Sequence, residues 1–193
     1  MLIDAKFEKI TKYAEDDAIV IPFRKTEESA GYDFYAAEDT VIEPLFGDEM
    51  SDRLAKVVAD NYESAIDFYE RCPLTLEETA KLIKEANAKV SLVPTGIKCK
   101  IPSGYYLKLC VRSSLPLKHW LILGNGIGVI DADYYNNTDN EGHIYFQIIN
   151  LLPFPIKIQK GECFGQGILE EYHKTADDAG EGVRAGGFGS TNE

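Results

Sequence analysis

From Ile97 onward the chain consists of short apolar runs of strand length, each closed by turn-forming residues, and this rhythm narrows the choice of fold sharply. Ile97, Cys99 and Ile101 alternate with Lys98 and Lys100 until Pro102 ends the run. Tyr105–Val111, Leu121–Leu123, Ile144–Leu151 and Phe164–Leu169 follow as further apolar or alternating runs. Pro102-Ser103-Gly104, Gly124-Asn125-Gly126, Pro153 with Pro155, and Lys160-Gly161 punctuate them. Many short strands at close spacing predict a mainly β domain: a sandwich, a jelly roll or a closed barrel.

One segment breaks the rhythm. Between residues 47 and 89, Leu54, Val57, Val58, Ala65, Ile66 and Tyr69 recur at helical spacing. After Cys72-Pro73 a second stripe follows with Leu76, Ala80, Ile83 and Ala86. Thr75 and Glu78 stand at capping-box offset, which marks the start of the second helix. The expectation is a helical hairpin inserted into a β domain, its stripes packed on each other and on the sheet. With 193 residues the whole chain fits a single domain carrying this insertion. From residue 174 the chain turns acidic and then glycine-rich, with Arg184 and Phe188 among the glycines. That composition fits a frayed tail, and equally an arm able to fold over an anion and a flat ring.

Composition narrows the function. Hydrophobic residues are 45% and charged residues 27%, which provides for a real core. No stretch approaches the roughly 20 apolar residues of a membrane span, and the N-terminal residues lack a signal-peptide pattern, so a cytoplasmic location is expected. The formal net charge of −12 argues against nucleic acid as a partner, because duplex binding needs Lys and Arg to neutralise phosphates. A small polyphosphate remains possible if donors cluster locally or a cation assists. Cys72, Cys99, Cys110 and Cys163 show no metal or redox spacing and read as free thiols.

Three short segments carry chemistry. Ile130-Asp131-Ala132-Asp133-Tyr134 follows a glycine-containing hairpin, and strand alternation would send both carboxylates to one side. Such a pair could hold a metal or serve as acid and base, though a solvated surface turn explains it equally simply. Arg112-Ser113-Ser114 follows an apolar strand and offers fixed charge and hydroxyl donors to phosphate oxygens. Ala30-Gly31-Tyr32-Asp33 is a turn with one acid.

Together and in order, these segments resemble the trimeric deoxyuridine triphosphatases (dUTPases), which carry five ordered motifs. The matches are AGYDFYA (Ala30–Ala36), VRSSL (Val111–Leu115), GNGIGVIDADY (Gly124–Tyr134), KGECFGQ (Lys160–Gln166) and RAGGFGST (Arg184–Thr191). The resemblance also covers LVPTGIK (Leu92–Lys98) and omits the helical segment. It implies a jelly-roll-like β fold and hydrolysis of dUTP to dUMP and pyrophosphate, limiting uracil incorporation into DNA. It implies Asp131 as the general base that activates water for attack at the α-phosphorus. Asn125 and the hairpin backbone around Gly128 would read the uracil edge, and Tyr134 would pack on the deoxyribose. Arg112, Ser113, Ser114 and Gln166 would hold phosphates, with Arg184 and Ser190 from the arm and Phe188 stacked on the base. Asp33 would grip waters on a Mg²⁺ carried by the triphosphate. A homotrimer with shared sites is also implied, since the family supplies the arm from a neighbouring chain.

Four features depart from the family pattern. Ala185 alone separates Arg184 from Gly186-Gly187-Phe188, where two residues are usual. Residues 135–141 lengthen the turn after Tyr134, and Trp120 stands where glycine is common. The helical insertion is the fourth, readable as packing or as a protein-contact surface. Two other readings stay open. A dCTP deaminase-like enzyme would need a catalytic glutamate where Gln147 stands. A non-catalytic nucleotide-binding or regulatory protein would be expected to have lost part of the set Asp33, Arg112, Asp131, Gln166 and Phe188.

Overall fold

The computed structural model describes residues 3–45, 48–71, 73–85, 90–180 and 187. Its strands are β1 (Lys6–Lys9), β2 (Tyr32–Tyr35), β3 (Thr40–Ile42), β4 (Ser91–Pro94), β5 (Ile97–Lys100), β6 (Tyr105–Val111), β7 (Leu121–Leu123), β8 (Gly128–Ile130), β9 (Tyr145–Asn150), β10 (Ile156–Ile158) and β11 (Cys163–Glu171). All pair antiparallel, in four sheets: β2-β11-β6-β8, β4-β9-β7, β1-β5 and β10-β3. The assembly is jelly-roll-like and not a closed barrel.

Alternation explains how the sheets close on one another. In β9, Phe146, Ile148 and Asn150 are buried while Tyr145, Gln147 and Ile149 are partly open. Phe146 lies 5.5 Å from Phe34 and 5.0 Å from Phe164, centroid to centroid, joining two sheets through one aromatic cluster. Each such ring contributes about 2–3 kcal/mol of burial. The glycines of β11 make room for it. A Cβ on Gly165 would strike the Phe146 ring, and one on Gly167 would come within 2.8 Å of Phe34.

The insertion contains three helices: α1 (Asp48–Asn61), α2 (Ala65–Arg71) and α3 (Leu76–Glu85). The apolar stripe expected to run on through Tyr69 is cut after Asn61. The Ser64 hydroxyl accepts from the Asp67 N–H at 3.1 Å, and the Asp67 carboxylate accepts from the Glu63 N–H, so a new helix starts there. The capping box at Thr75 is present: Thr75 Oγ1 accepts from Glu78 N–H at 3.2 Å, and Glu78 Oε2 accepts from Thr75 N–H at 2.8 Å. The helices pack chiefly on one another, α1 with α3 and α2. Leu82 is buried, but Ile66 and Ile83 are exposed, so the stripes are only partly covered.

A fourth helix, α4 (Ser114–His119), follows β6. Pro116 sits in its first turn, where no backbone donor is needed. Trp120 ends it in the left-handed conformation, φ 54° and ψ 29°, donating its N–H to the Leu115 carbonyl. This is the helix-ending position that glycine fills at least cost, which accounts for glycine being common here. Cys99 is buried and Cys110 and Cys163 half-buried, all as free thiols, while Cys72 lies outside the described residues. Among the described residues no helix is long and apolar enough to cross a membrane.

Candidate active site

Strand registers gather the candidate residues into two cavities. On the β2–β11 side, Gln166 stands opposite Asp33 on β2 and opposite Cys110 on β6. Arg112 follows β6 and is tied down by its N–H to the Phe164 carbonyl, 3.1 Å away. Asp33 donates its N–H to the Phe23 carbonyl, which draws the loop of residues 24–31 across the strand end. Arg24 holds that loop in shape by donating to the carbonyls of Glu27 and Ser29, at 2.7 and 2.9 Å. The resulting cavity of about 220 Å³ is lined by Lys25, Thr26, Ser29, Gly31, Asp33, Arg112, Ser113 and Gln166. Gly31 passes close to the Gln166 carboxamide, so a Cβ there would push that side chain aside.

Charge in this cavity is organised around Asp33, whose side chain is only 10% exposed. Lys25 Nζ lies 3.2 Å from one carboxylate oxygen and Arg112 Nε 3.7 Å from the other. The Asp33 carboxylate in turn raises the Lys25 ammonium above its usual range. Burial pushes the neighbouring Cys163 thiol up, which keeps it protonated and unreactive. Two cations, hydroxyls and an amide around one acid suit an anion of several oxygens. Lys25 carries no motif signal in the sequence. Only the loop geometry brings it in.

The second cavity, about 190 Å³, lies on the β8 side. One wall is the tight turn between β7 and β8, which is not the hairpin expected from the sequence, since β7 pairs with β9 and β8 with β6. Gly126 takes φ 72° and donates to the Leu123 carbonyl, while Gly124 donates to the Gln147 carbonyl at 2.8 Å. Gly128 faces Leu109 across the β6–β8 pairing, and a Cβ there would come within 3.0 Å of Leu109. Asn125, Gly128, Tyr134, Tyr145, Gln147 and Gly187 contribute to the walls. Gly187, from the C-terminal arm, lies so close to the Tyr134 ring that a Cβ would approach it to 2.8 Å. A narrow, partly apolar slot with a few polar groups suits a flat heterocycle and its sugar.

Asp131 immediately follows β8. The expectation that it shares a strand face with Asp133 is corrected by the structure. The chain leaves the extended conformation after Asp131 and enters a 3-10 turn, Ala132–Tyr134, which Asp131 caps with φ −77° and ψ 159°. Asp131 is half-buried and directly follows Ile130, which lines the cavity, though Asp131 itself is not among the lining residues; Asp133 is exposed. The turn buries Tyr134 instead. Ser114 begins α4 beside Ser113 and is half-buried. Arg184, Phe188 and Ser190 lie outside the described residues.

No residue lines both cavities. They sit toward opposite edges of the sheet β2-β11-β6-β8.

Comparison with known proteins gives consistent matches. The dUTPase family model matches residues 74–192. The deoxyuridine 5'-triphosphate nucleotidohydrolase of Lactococcus lactis subsp. lactis (strain IL1403) is 35% identical over 187 residues, covering 96% of this chain and 95% of its own length. The crystal structure of the dUTPase from Streptococcus mutans is 32% identical with a TM-score of 0.62, covering 88% of this chain and 97% of that one. A mutant dUTPase from phage phi11 of S. aureus, described as coordinating a structural Mg(II) ion, shares the fold at 16% identity, with a TM-score of 0.56 and coverage of 92% and 97%.

Proposed function

The chain belongs to the dUTPase family and is a dUTP diphosphatase, and from that premise we propose how its two cavities divide the work. The slot between the β7–β8 turn and Tyr134 takes the deoxyuridine, with Asn125 and the turn's backbone on the uracil edge and Tyr134 against the sugar. The close packing of Gly128 on Leu109, both of which line the slot, supports exclusion of a 5-methyl group. The cavity around Asp33 takes the phosphates, held by Arg112, Ser113, Ser114 and Gln166, and also by Lys25. Phe188, Arg184 and Ser190 of the arm close over base and phosphates, a role supported by Gly187 lying in the slot.

Asp131 acts as the general base. It accepts a proton from water as the water oxygen bonds to the α-phosphorus, and the bond to the oxygen bridging to the β-phosphate breaks. The products are dUMP and pyrophosphate. Its half-burial and its position directly after Ile130 of the nucleoside slot support this role. Among the described residues no three His, Cys, Asp or Glu side chains gather into a metal cage. The single acid of the phosphate cavity does fit a Mg²⁺ that arrives on the triphosphate and keeps its waters, with Asp33 accepting from them. When bound, the ion neutralises phosphate charge.

The observation that carries the assembly reading is the separation of the two cavities. A site needing both is completed between copies, which supports a homotrimer with shared sites, working in the cytoplasm. Gln147 in the nucleoside slot disfavours deamination, because an amide cannot serve as a base. With Mg²⁺, the purified protein should release pyrophosphate from dUTP far faster than from dTTP, dCTP or UTP. Equal rates on all of them, or ammonia from dCTP, would overturn the reading. Asp131→Asn should keep nucleotide binding and lose on the order of 10²–10⁴ in turnover; persisting turnover would make another group the base.

A further inference from the structure

The lengthened turn after Tyr134 is folded inward onto Tyr134 itself. Asn140 Nδ2 donates to the Tyr134 hydroxyl at 2.8 Å, and that hydroxyl donates to the His143 carbonyl at 3.0 Å. At the other end of the residue, Asn137 Nδ2 donates to the Tyr134 carbonyl at 2.8 Å and to Asn140 Oδ1 at 2.9 Å. The remaining acceptors are used as well. Asn137 Oδ1 receives the N–H groups of Asp139 and Asn140, and Asn140 Oδ1 receives that of Gly142. Asn137 is only 7% exposed, which is unusual for a turn asparagine.

Holding this shape has a cost. Asn136 and Glu141 take positive φ, 56° and 61°, and Gly142 lies so close to the Tyr134 carbonyl that a Cβ would sit 2.6 Å from it. Strain of this kind persists where the surroundings over-determine it. Here the surroundings are a closed set of hydrogen bonds whose two ends grip one tyrosine.

We propose that Asn137 and Asn140 are positioning residues that fix the Tyr134 ring as the sugar wall and thereby set discrimination against ribonucleotides. The proposal rests on Tyr134 packing against the deoxyribose. Excluding one hydroxyl needs a wall that does not yield, and a ring anchored at both its backbone carbonyl and its hydroxyl cannot tilt away. Neither asparagine lines the slot. Both act through Tyr134.

The test compares kcat and KM for dUTP and UTP in the full-length protein. Asn140→Asp keeps the shape and the acceptor for Gly142 but loses the donor to the Tyr134 hydroxyl, and Tyr134→Phe removes that hydroxyl while keeping the ring. Both, and Asn137→Ala, should lower the dUTP-over-UTP preference in kcat/KM by roughly five- to tenfold. Most of the change should appear as a higher KM for dUTP and a gain on UTP. Glu141→Gln is the structural control. Its carboxylate accepts from Thr11 Oγ1 at 2.8 Å and lies 3.6 Å from Lys98, anchoring the same turn without touching Tyr134. It should lower the melting temperature and leave the preference unchanged. If the three variants lose stability but keep the wild-type preference, the positioning role is overturned. If Tyr134→Ala also keeps it, the sugar-wall reading fails first.

Discussion

His143 is buried to 3% exposure, with its Nε2 accepting the Gly96 N–H at 2.9 Å and its ring 4.0 Å from that of Tyr145. Burial, with the Lys12 charge nearby, pushes its pKa down to about 4. In the unfolded chain the same imidazole titrates near 6.5. Between those values the unfolded chain binds a proton that the native protein refuses, so stability falls as pH drops through that window. The loss amounts to about 3 kcal/mol by pH 4. Urea unfolding from pH 7.5 to 4.5 should show this slope, and His143→Gln, which keeps an acceptor for Gly96, should flatten it. An unchanged slope would place the titration elsewhere. Legibility at this scale follows the reach of local chemistry. Arg112, Asp33 and Asn125 each stand in a motif, and each lines one of the two cavities. Lys25 stands in none, and only the bridge between Phe23 and Asp33 brings its loop to the Asp33 cavity. For Asp131 the sequence misjudges the setting: period-two alternation assumes the strand continues, and a 3-10 turn ends it there.

Among the elements, β6 and β7 match the expected runs, and β5, β9 and β11 differ from them only at their ends, because strong apolar periodicity bounded by Gly and Pro overrides local ambiguity. Strands β3 (Thr-Val-Ile) and β10 (Ile-Lys-Ile) are as short as β7 but lack its unbroken apolar run, so nothing marks them in the sequence. Helix α4, six residues with Pro116 tolerated in its first turn, is too short for a helical period to register. In the insertion, the Thr75 box was legible and the Ser64 start was not, since the apolar spacing runs on through it. Thr75→Ala should cost α3 about 1 kcal/mol. Hydrogen exchange should speed up in Leu76–Glu85 while β6 and β11 keep their protection. Equal loss in all three would show that the helices and the sheets unfold as one unit.

At the scale of the molecule, a chain of net charge −12 brings Lys25 and Arg112 together in one small cavity, which suits a polyanion. The second cavity shares none of its lining residues, and the proposal that one site needs both has a genetic test. Asp131→Asn and Arg112→Ala should each be nearly inactive alone, yet co-expressed chains should recover a measurable part of wild-type activity through mixed assemblies. If no mixture exceeds its parents, each chain builds its own site. The reason this could not be read from sequence is plain: motif order does not say which residues share a cavity, and only the fold sorts them into two separate linings.

If copies share the site as proposed, catalytic output becomes a matter of encounter. Below the concentration at which copies associate, activity would fall faster than the number of chains. A truncated chain that still assembles would silence intact neighbours in proportion to its abundance. Clearance of dUTP would then depend on how much of this chain a cell makes at once, and on how little of it is damaged.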